Sequence, residues 1–124
     1  MLRRPRDTRA QERKRLLKRI KQRYLALQID SDGTFETKEF TDAVWSAITR
    51  LYGEHGASQT RLSMIRHDQD RRLAIIRVAN PASDMVRSAL ATITEISHTP
   101  ASIHVIAASG TIKALSRKTR DYPA

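Results

Sequence analysis

The chain has 124 residues, no cysteine, and 23 Arg or Lys against 13 Asp or Glu, a formal net charge of +10 at pH 7. That length makes one domain with a single two-layer core. The lack of cysteine excludes disulfides and thiolate metal sites and suits a reducing interior. No apolar run approaches the ~20 residues needed to cross a bilayer, and the Arg-rich start lacks the apolar stretch of a secretory signal.

Charge is concentrated at the ends. Residues 1–23 hold eleven Arg or Lys against Asp7 and Glu12, a net +9, whereas residues 24–116 sum to −1 and residues 117–124 to +2. Such end-loading is the electrostatic footprint of a polyanion binder, and nucleic acid is the favoured polyanion. A solubilising terminus is the bland alternative. The division expected is a basic N-terminal arm over 1–22 and an α/β domain over 23–124. Within the arm Leu16, Leu17 and Ile20 fall on one side of a helix otherwise covered by Arg and Lys, which suits a segment partly helical or ordered on binding. An Arg-rich, partly amphipathic arm also has features of a mitochondrial presequence; Asp7, Glu12 and the direct run into the first strand count against it.

Tyr24 to Ile29 alternates, with Leu25, Leu27 and Ile29 on one face, and predicts a first strand. Asp30-Ser31-Asp32-Gly33 supplies a turn. Phe40, Ala43, Val44, Ala47, Ile48 and Leu51 form an unbroken helical stripe, which predicts a helix opening near Thr37 and closed by Gly53. Trp45 and Tyr52 flank it as core edge or interface. A second strand follows from about Arg61 to His67, then a tight hairpin at Asp68-Gln69-Asp70-Arg71 and a third strand over Leu73 to Val78. Asn80 as N-cap and Pro81 at the first helical position open a second helix, with Val86, Ala89, Leu90, Ile93 and Ile96 as its buried stripe. His98-Thr99-Pro100 ends it. Ile103 to Ala108 reads as a fourth strand, and Gly110-Thr111 turns into a short basic helix with Lys113, Arg117 and Lys118.

The order β-α-β-β-α-β predicts an α+β, ferredoxin-like or RRM-like split β-α-β sandwich. Two helices lie on one face of a four-stranded antiparallel sheet whose first and third strands are central. Nucleic-acid-binding relatives of this topology stack bases on aromatics of the central strands, but Leu73-Ala74-Ile75-Ile76-Arg77-Val78 has none. That strand is apolar on both sides, so both faces of the sheet need a cover. The expectation is a protein partner or a second copy over Leu73, Ile75, Ile106 and Ala108; the alternative is that the arm or the C-terminal helix folds back over them.

No catalytic constellation is visible. His55, His67, His98 and His104 lack metal-ligand spacing, and Glu36, Glu39 and Asp42 read as a solvated helix face. In Ser109-Gly110-Thr111-Ile112-Lys113 the glycine allows a tight turn and Thr111 can cap the helix; the freed N–H groups could hold a phosphate, though a plain turn explains the residues equally. Other holders of this topology fit less well. An acylphosphatase needs an Arg-containing loop after the first strand, where this chain has Asp30-Ser31-Asp32-Gly33. An amino-acid-sensing domain needs no basic arm. A ribosomal protein shares the charge logic and is the main competing reading.

Taken in order, several segments resemble the protein component 2 family of archaeal ribonuclease P, known in eukaryotes as the Pop-five subunit. They are Arg23-Tyr24, Ala43-Val44-Trp45, Gly53-Glu54 with Gly56-Ala57, Ile75-Ile76-Arg77, Val86-Arg87 with Ala89-Leu90, and Ser109-Gly110-Thr111-Ile112-Lys113. The resemblance spans roughly residues 23–118. It departs at Val78, where Cys is frequent, at Ala74, where Gly is common, and in a longer basic arm. It implies a non-catalytic RNA-binding subunit whose RNA, with magnesium, removes the 5′ leader from precursor tRNA. It further implies a Rpp-thirty-like protein partner in a heterotetramer, no cofactor on this chain, and a cytoplasmic place (nuclear or nucleolar in a eukaryote). The RNA contacts expected are Arg77, Lys113, Arg117 and Lys118 on the domain, with Arg13, Lys14, Arg15, Lys18, Arg19 and Arg23 from the arm.

Overall fold

The computed structural model describes residue 11 and residues 21–119. The arm positions Arg13, Lys14, Arg15, Lys18 and Arg19 lie outside the described residues. In chain order the elements are β1 (Gln22–Asp30), α1 (Thr37–Gln59), β2 (Ser63–Asp68), β3 (Leu73–Ala79), a 3-10 turn (Asn80–Ala82) and α2 (Ser83–Ala91). Next come β4 (Glu95–Ile96), β5 (Thr99–Pro100), β6 (Ser102–Ser109) and α3 (Ile112–Thr119). The main sheet runs β2-β3-β1-β6 with every neighbour antiparallel. The central pair is therefore β1 and β3, as the β-α-β-β-α-β order predicts.

Alternation in β1 and β3 sends Leu25, Leu27, Ile29, Ala74, Ile76 and Val78 to one face, where they are buried with Phe40, Val44, Ala47 and Ile48 of α1 and Val86, Ala89 and Leu90 of α2. Thr60, fully buried, fastens the end of α1 to β3: its hydroxyl donates to the Ala57 carbonyl at 2.7 Å, and its carbonyl accepts from the Ala79 N–H at 2.8 Å. On the far side of β1, the Ser31 hydroxyl donates to the Pro100 carbonyl at 2.7 Å and accepts from the Gly33 N–H at 3.2 Å. A loop read only as turn chemistry thus ties β1 to the β4–β5 hairpin.

Both helices depart from their expected ends. Gly53, at φ 75° and ψ 173°, breaks α1, but helix resumes and runs to Gln59. The break is a kink, since only the glycine itself leaves helical geometry. Leu51, expected in the core stripe, is 46% exposed; Ile48 is the last buried residue of α1 before the kink, and Ala57 the next. The stripe outruns the surface it packs on.

Asn80 does not cap α2. It opens the 3-10 turn after Ala79, and neither that turn nor α2 has a side-chain cap. The helix then stops at Ala91, with the Thr92 hydroxyl donating to the Ala89 carbonyl at 2.7 Å. Ile93 and Ile96 are buried as expected, yet lie beyond the helix. Ile96 belongs to a two-stranded hairpin turned by Ser97 and His98, both at positive φ. Two apolar residues three apart satisfied helical spacing while being carried by irregular chain, because burial constrains the side chain and not the backbone that delivers it.

Candidate nucleic-acid interface on the open face of the sheet

The second face of the sheet is built by the other residues of β1 and β3. Register sets Ser63, Arg77, Tyr24 and Ser109 in one row, and Ile75, Ala26 and Ala107 in the next with Arg66 of β2. Asp68, Leu73, Gln28 and His104 form the third. Two register shifts re-aim the edge strands, one between Met64 and Arg66 and one opposite Ala26 and Leu27. A bulge adds one residue and so reverses the alternation beyond it. This overturns one expectation: Ala108 packs with the helix-side core, and Ala107 takes the open-face position.

The cover of this face is α3. Leu115, with no exposed surface, packs with Ala26 and Ile75, and Tyr24, Ile65, Ile106 and Ala107 border the cluster. The C-terminal helix folding back, the alternative to an external partner, therefore accounts for Ile75. Leu73 and Ile106 remain half-buried and, with Ala26 and Ile75, floor a cavity of about 110 Å³ rimmed by Arg66, Arg71 and Asp68.

Thr111 caps α3 as expected, accepting from the Ala114 N–H at 3.1 Å, and the Ser109 hydroxyl accepts from the Thr111 N–H at 3.4 Å. Gly110 needs no left-handed backbone, and a Cβ there would meet nothing within 4 Å. Neither conformation nor packing of the described chain calls for glycine, which corrects the tight-turn reading. Lys113 and Arg117, one helical turn apart on α3, are both exposed, and neither meets a carboxylate among the described residues. Lys118 is partly committed: its ammonium donates to the Ala108 carbonyl at 2.8 Å and anchors α3 to β6. Arg117 and Lys118 also lie in the last turn, where positive charge complements the helix dipole.

The remaining predicted cations separate. Arg77, half-buried, lies in the first row of the open face and has a buried Nε without a hydrogen-bond partner. Arg23 pairs in register with Val78, on the helix side of the sheet. It does not join the surface that carries Arg77 and α3. Arg66 and Arg71, which sequence reasoning missed, do border that surface, but only the β2 bulge decides Arg66's side.

Two helix-side groups carry shifted pKa values. Glu39, read as merely solvated, accepts from the Glu36 N–H at 2.9 Å at the start of α1, and this hydrogen bond, with one from Ser97, holds its carboxyl below the usual value. The His67 ring stacks on Phe40 at 5.4 Å and meets the Thr37 hydroxyl through Nδ1 at 2.9 Å. Burial lowers its pKa, with Asp68 opposing. Among the described residues no three His, Asp or Glu side chains gather to share a metal ion.

Comparison with known proteins places this arrangement. The model of the Rpp14/Pop5 family matches residues 23–120. The chain belongs to that family. Among curated relatives, the Ribonuclease P protein component 2 of Pyrococcus furiosus is 36% identical over 101 residues, covering 81% of this chain and 83% of that protein. The protein of the same name in Methanosarcina barkeri is 30% identical over 107 residues, covering 85% and 78%. A chain in a cryo-EM structure of yeast ribonuclease MRP superposes with a TM-score of 0.64 over 82% of this chain and 94% of that one, at 17% identity, and shares the fold. The Rpp14/Pop5 match begins at Arg23 and so spans both faces of the sheet and all of α3.

Proposed function

We propose that this chain is a non-catalytic protein subunit of ribonuclease P that binds the enzyme's RNA and supports removal of the 5′ leader from precursor tRNA. The observation that carries the reading is the Rpp14/Pop5 match over residues 23–120, together with archaeal relatives named Ribonuclease P protein component 2 that align over about four-fifths of their length. The surface chemistry supports it. Lys113 and Arg117 stand together on α3 with no carboxylate of the described chain to neutralise them. Each phosphate such a cation contacts releases condensed counterions, so affinity falls steeply with salt. A protein that clamps folded RNA in this way offsets the repulsion of compacting it and lowers the magnesium the RNA requires. Magnesium belongs to the RNA in this scheme, and bond cleavage with it.

The partners in this reading are ribonuclease P RNA, precursor tRNA and a Rpp-thirty-like protein in a heterotetramer, in the cytoplasm of an archaeal cell. No helix among the described residues is long and apolar enough to cross a membrane. Reconstitution tests the reading. Precursor tRNA cleavage by purified RNA and protein subunits is expected to need less magnesium with this chain than without it. An unchanged magnesium requirement, or ribosomal RNA as the RNA that co-purifies, would overturn it. In the same assay Lys113→Ala with Arg117→Ala is expected to weaken RNA binding and to reduce the salt slope by about 1.8, one phosphate for each cation. The melting transition is expected to stay in place.

A further inference from the structure

We infer that the cavity beside the end of α3 takes one unpaired guanine base of the bound RNA, held between Arg66 and Asp68. The inference rests on the RNA-binding reading and adds to it a site for a base, where that reading has only phosphate contacts. α3 is eight residues long, about 12 Å, and its cover of the open face stops at Thr119, which lines the cavity. The floor beyond is apolar, made of buried Ala26 and Ile75 with half-buried Leu73 and Ile106. Its volume of about 110 Å³ exceeds the ~10–15 Å³ that holds one water and falls short of the ~300 Å³ of a drug-sized pocket. One ring system suits that space.

The rim selects the ligand. Arg66 and Asp68 are in register with Ile75 and Leu73 of the open face, so they stand on one side of β2 about 7 Å apart along the strand. They do not pair with each other. The Asp68 Oδ1 accepts instead from the Arg71 N–H at 3.1 Å, and exposed Arg66 meets no carboxylate among the described residues. A phosphate answers only the arginine: Asp68 repels it, and the apolar floor strips its water without return. A nucleobase has flat apolar faces for the floor and polar edges for the rim. β3 offers no aromatic to stack on, and the cavity supplies the apolar contact that single-stranded bases otherwise find on such rings. Guanine alone of the four bases carries two adjacent donors, N1–H and the N2 amino group, which a carboxylate matches, while its O6 and N7 accept from an arginine. Adenine, cytosine and uracil each set an acceptor beside the donor and so turn a lone pair toward Asp68.

Methyl NMR of the full chain tests the inference. Guanosine monophosphate is expected to shift the methyl signals of Leu73, Ile75 and Ile106 saturably, with adenosine, cytidine and uridine monophosphates binding about tenfold more weakly. Asp68→Asn keeps an acceptor for the Arg71 N–H and replaces the other oxygen by a donor. It is expected to level the four nucleotides and to weaken binding of ribonuclease P RNA about tenfold at an unchanged salt slope, because no phosphate contact is lost. A purely structural role in the hairpin would leave base preference as it was. The nucleotide comparison in the unaltered chain decides the matter should Asp68→Asn fail to fold. Equal shifts with all four nucleotides or with inorganic phosphate would overturn the inference, as would wild-type or tighter RNA binding by Asp68→Asn. So would methyl shifts caused by the protein subunit and not by guanosine monophosphate, or a response that appears only once residues 120–124 are removed, which would give the cavity to those residues. A chain that binds RNA while its methyls ignore guanosine monophosphate loses the pocket alone. One that binds no RNA loses the reading beneath it as well.

Discussion

The two faces of the sheet share four strands but are sealed by very different means. The helix side is closed by α1 and α2 over a continuous core that includes Phe40, Val44, Ile48, Val86 and Leu90. The open side is closed by eight residues of α3 through one deeply buried side chain, Leu115, and a hydrogen bond from Lys118 to the Ala108 carbonyl. The first face is a core and supplies most of the stability. The second is a thin cover whose outer surface carries the exposed Lys113 and Arg117. A small domain can divide its labour this way because burial on one side of a sheet is enough to fold it.

Unequal sealing predicts unequal responses. Phe40→Ala, in the helix-side core, is expected to cost about 3–5 kcal/mol in chemical denaturation. Leu115→Ala removes the only fully buried side chain of α3, and a cavity of that kind costs about 2–5 kcal/mol where the surroundings stay in place. Because Leu115 is the one buried residue of α3, the measured loss should lie at the low end, with hydrogen exchange rising in residues 112–119 before the sheet opens. Equal exchange in both regions would erase the distinction.

Two glycines sharpen it further. Gly53→Ala forces a side chain onto φ 75° and ψ 173°, a region open almost only to glycine, and should destabilise by about 1–3 kcal/mol. Gly110→Ala meets open space at an ordinary φ and should leave the melting temperature level or slightly raised, by the about 0.4–1 kcal/mol that a less flexible unfolded chain contributes. The smallest effect concerns His67. Folding lowers its pKa, so near its ordinary value of 6.5 the unfolded chain binds more protons than the folded one. Stability from this group is complete above 6.5 and is lost as pH falls through the depressed folded value. His67→Gln should flatten that part of the stability–pH curve.

Much of the fold was legible because its signals are local. The β1 alternation, the α1 stripe through Ile48 and the capping Thr111 depend on residues a few positions apart. Leu51 and Asn80 misled for a shared reason: helical spacing and cap chemistry state what a segment can do, whereas the neighbouring surface decides where burial ends and which turn the chain adopts. The site was less legible. Charge alone singled out Arg77, Lys113, Arg117 and Lys118 on the domain and Arg23 with the arm, but not the face each occupies: Arg77 lies on the open face and Arg23 on the opposite side of the sheet.

Composition, charge distribution and periodicity alone determined the split α+β architecture, the central pair of strands and the basic ends, while the family resemblance came from short ordered motifs such as Ser109-Gly110-Thr111-Ile112-Lys113. Tertiary structure decided that α3 covers the open face, that two bulges move Ala108 inward and bring Arg66 to the open face, and that Arg77 keeps a buried donor without an acceptor among the described residues. The physical reason is that period and charge are properties of neighbours along the chain. A bulge, a docked helix or an unmet hydrogen bond exists only when segments distant in sequence share one surface.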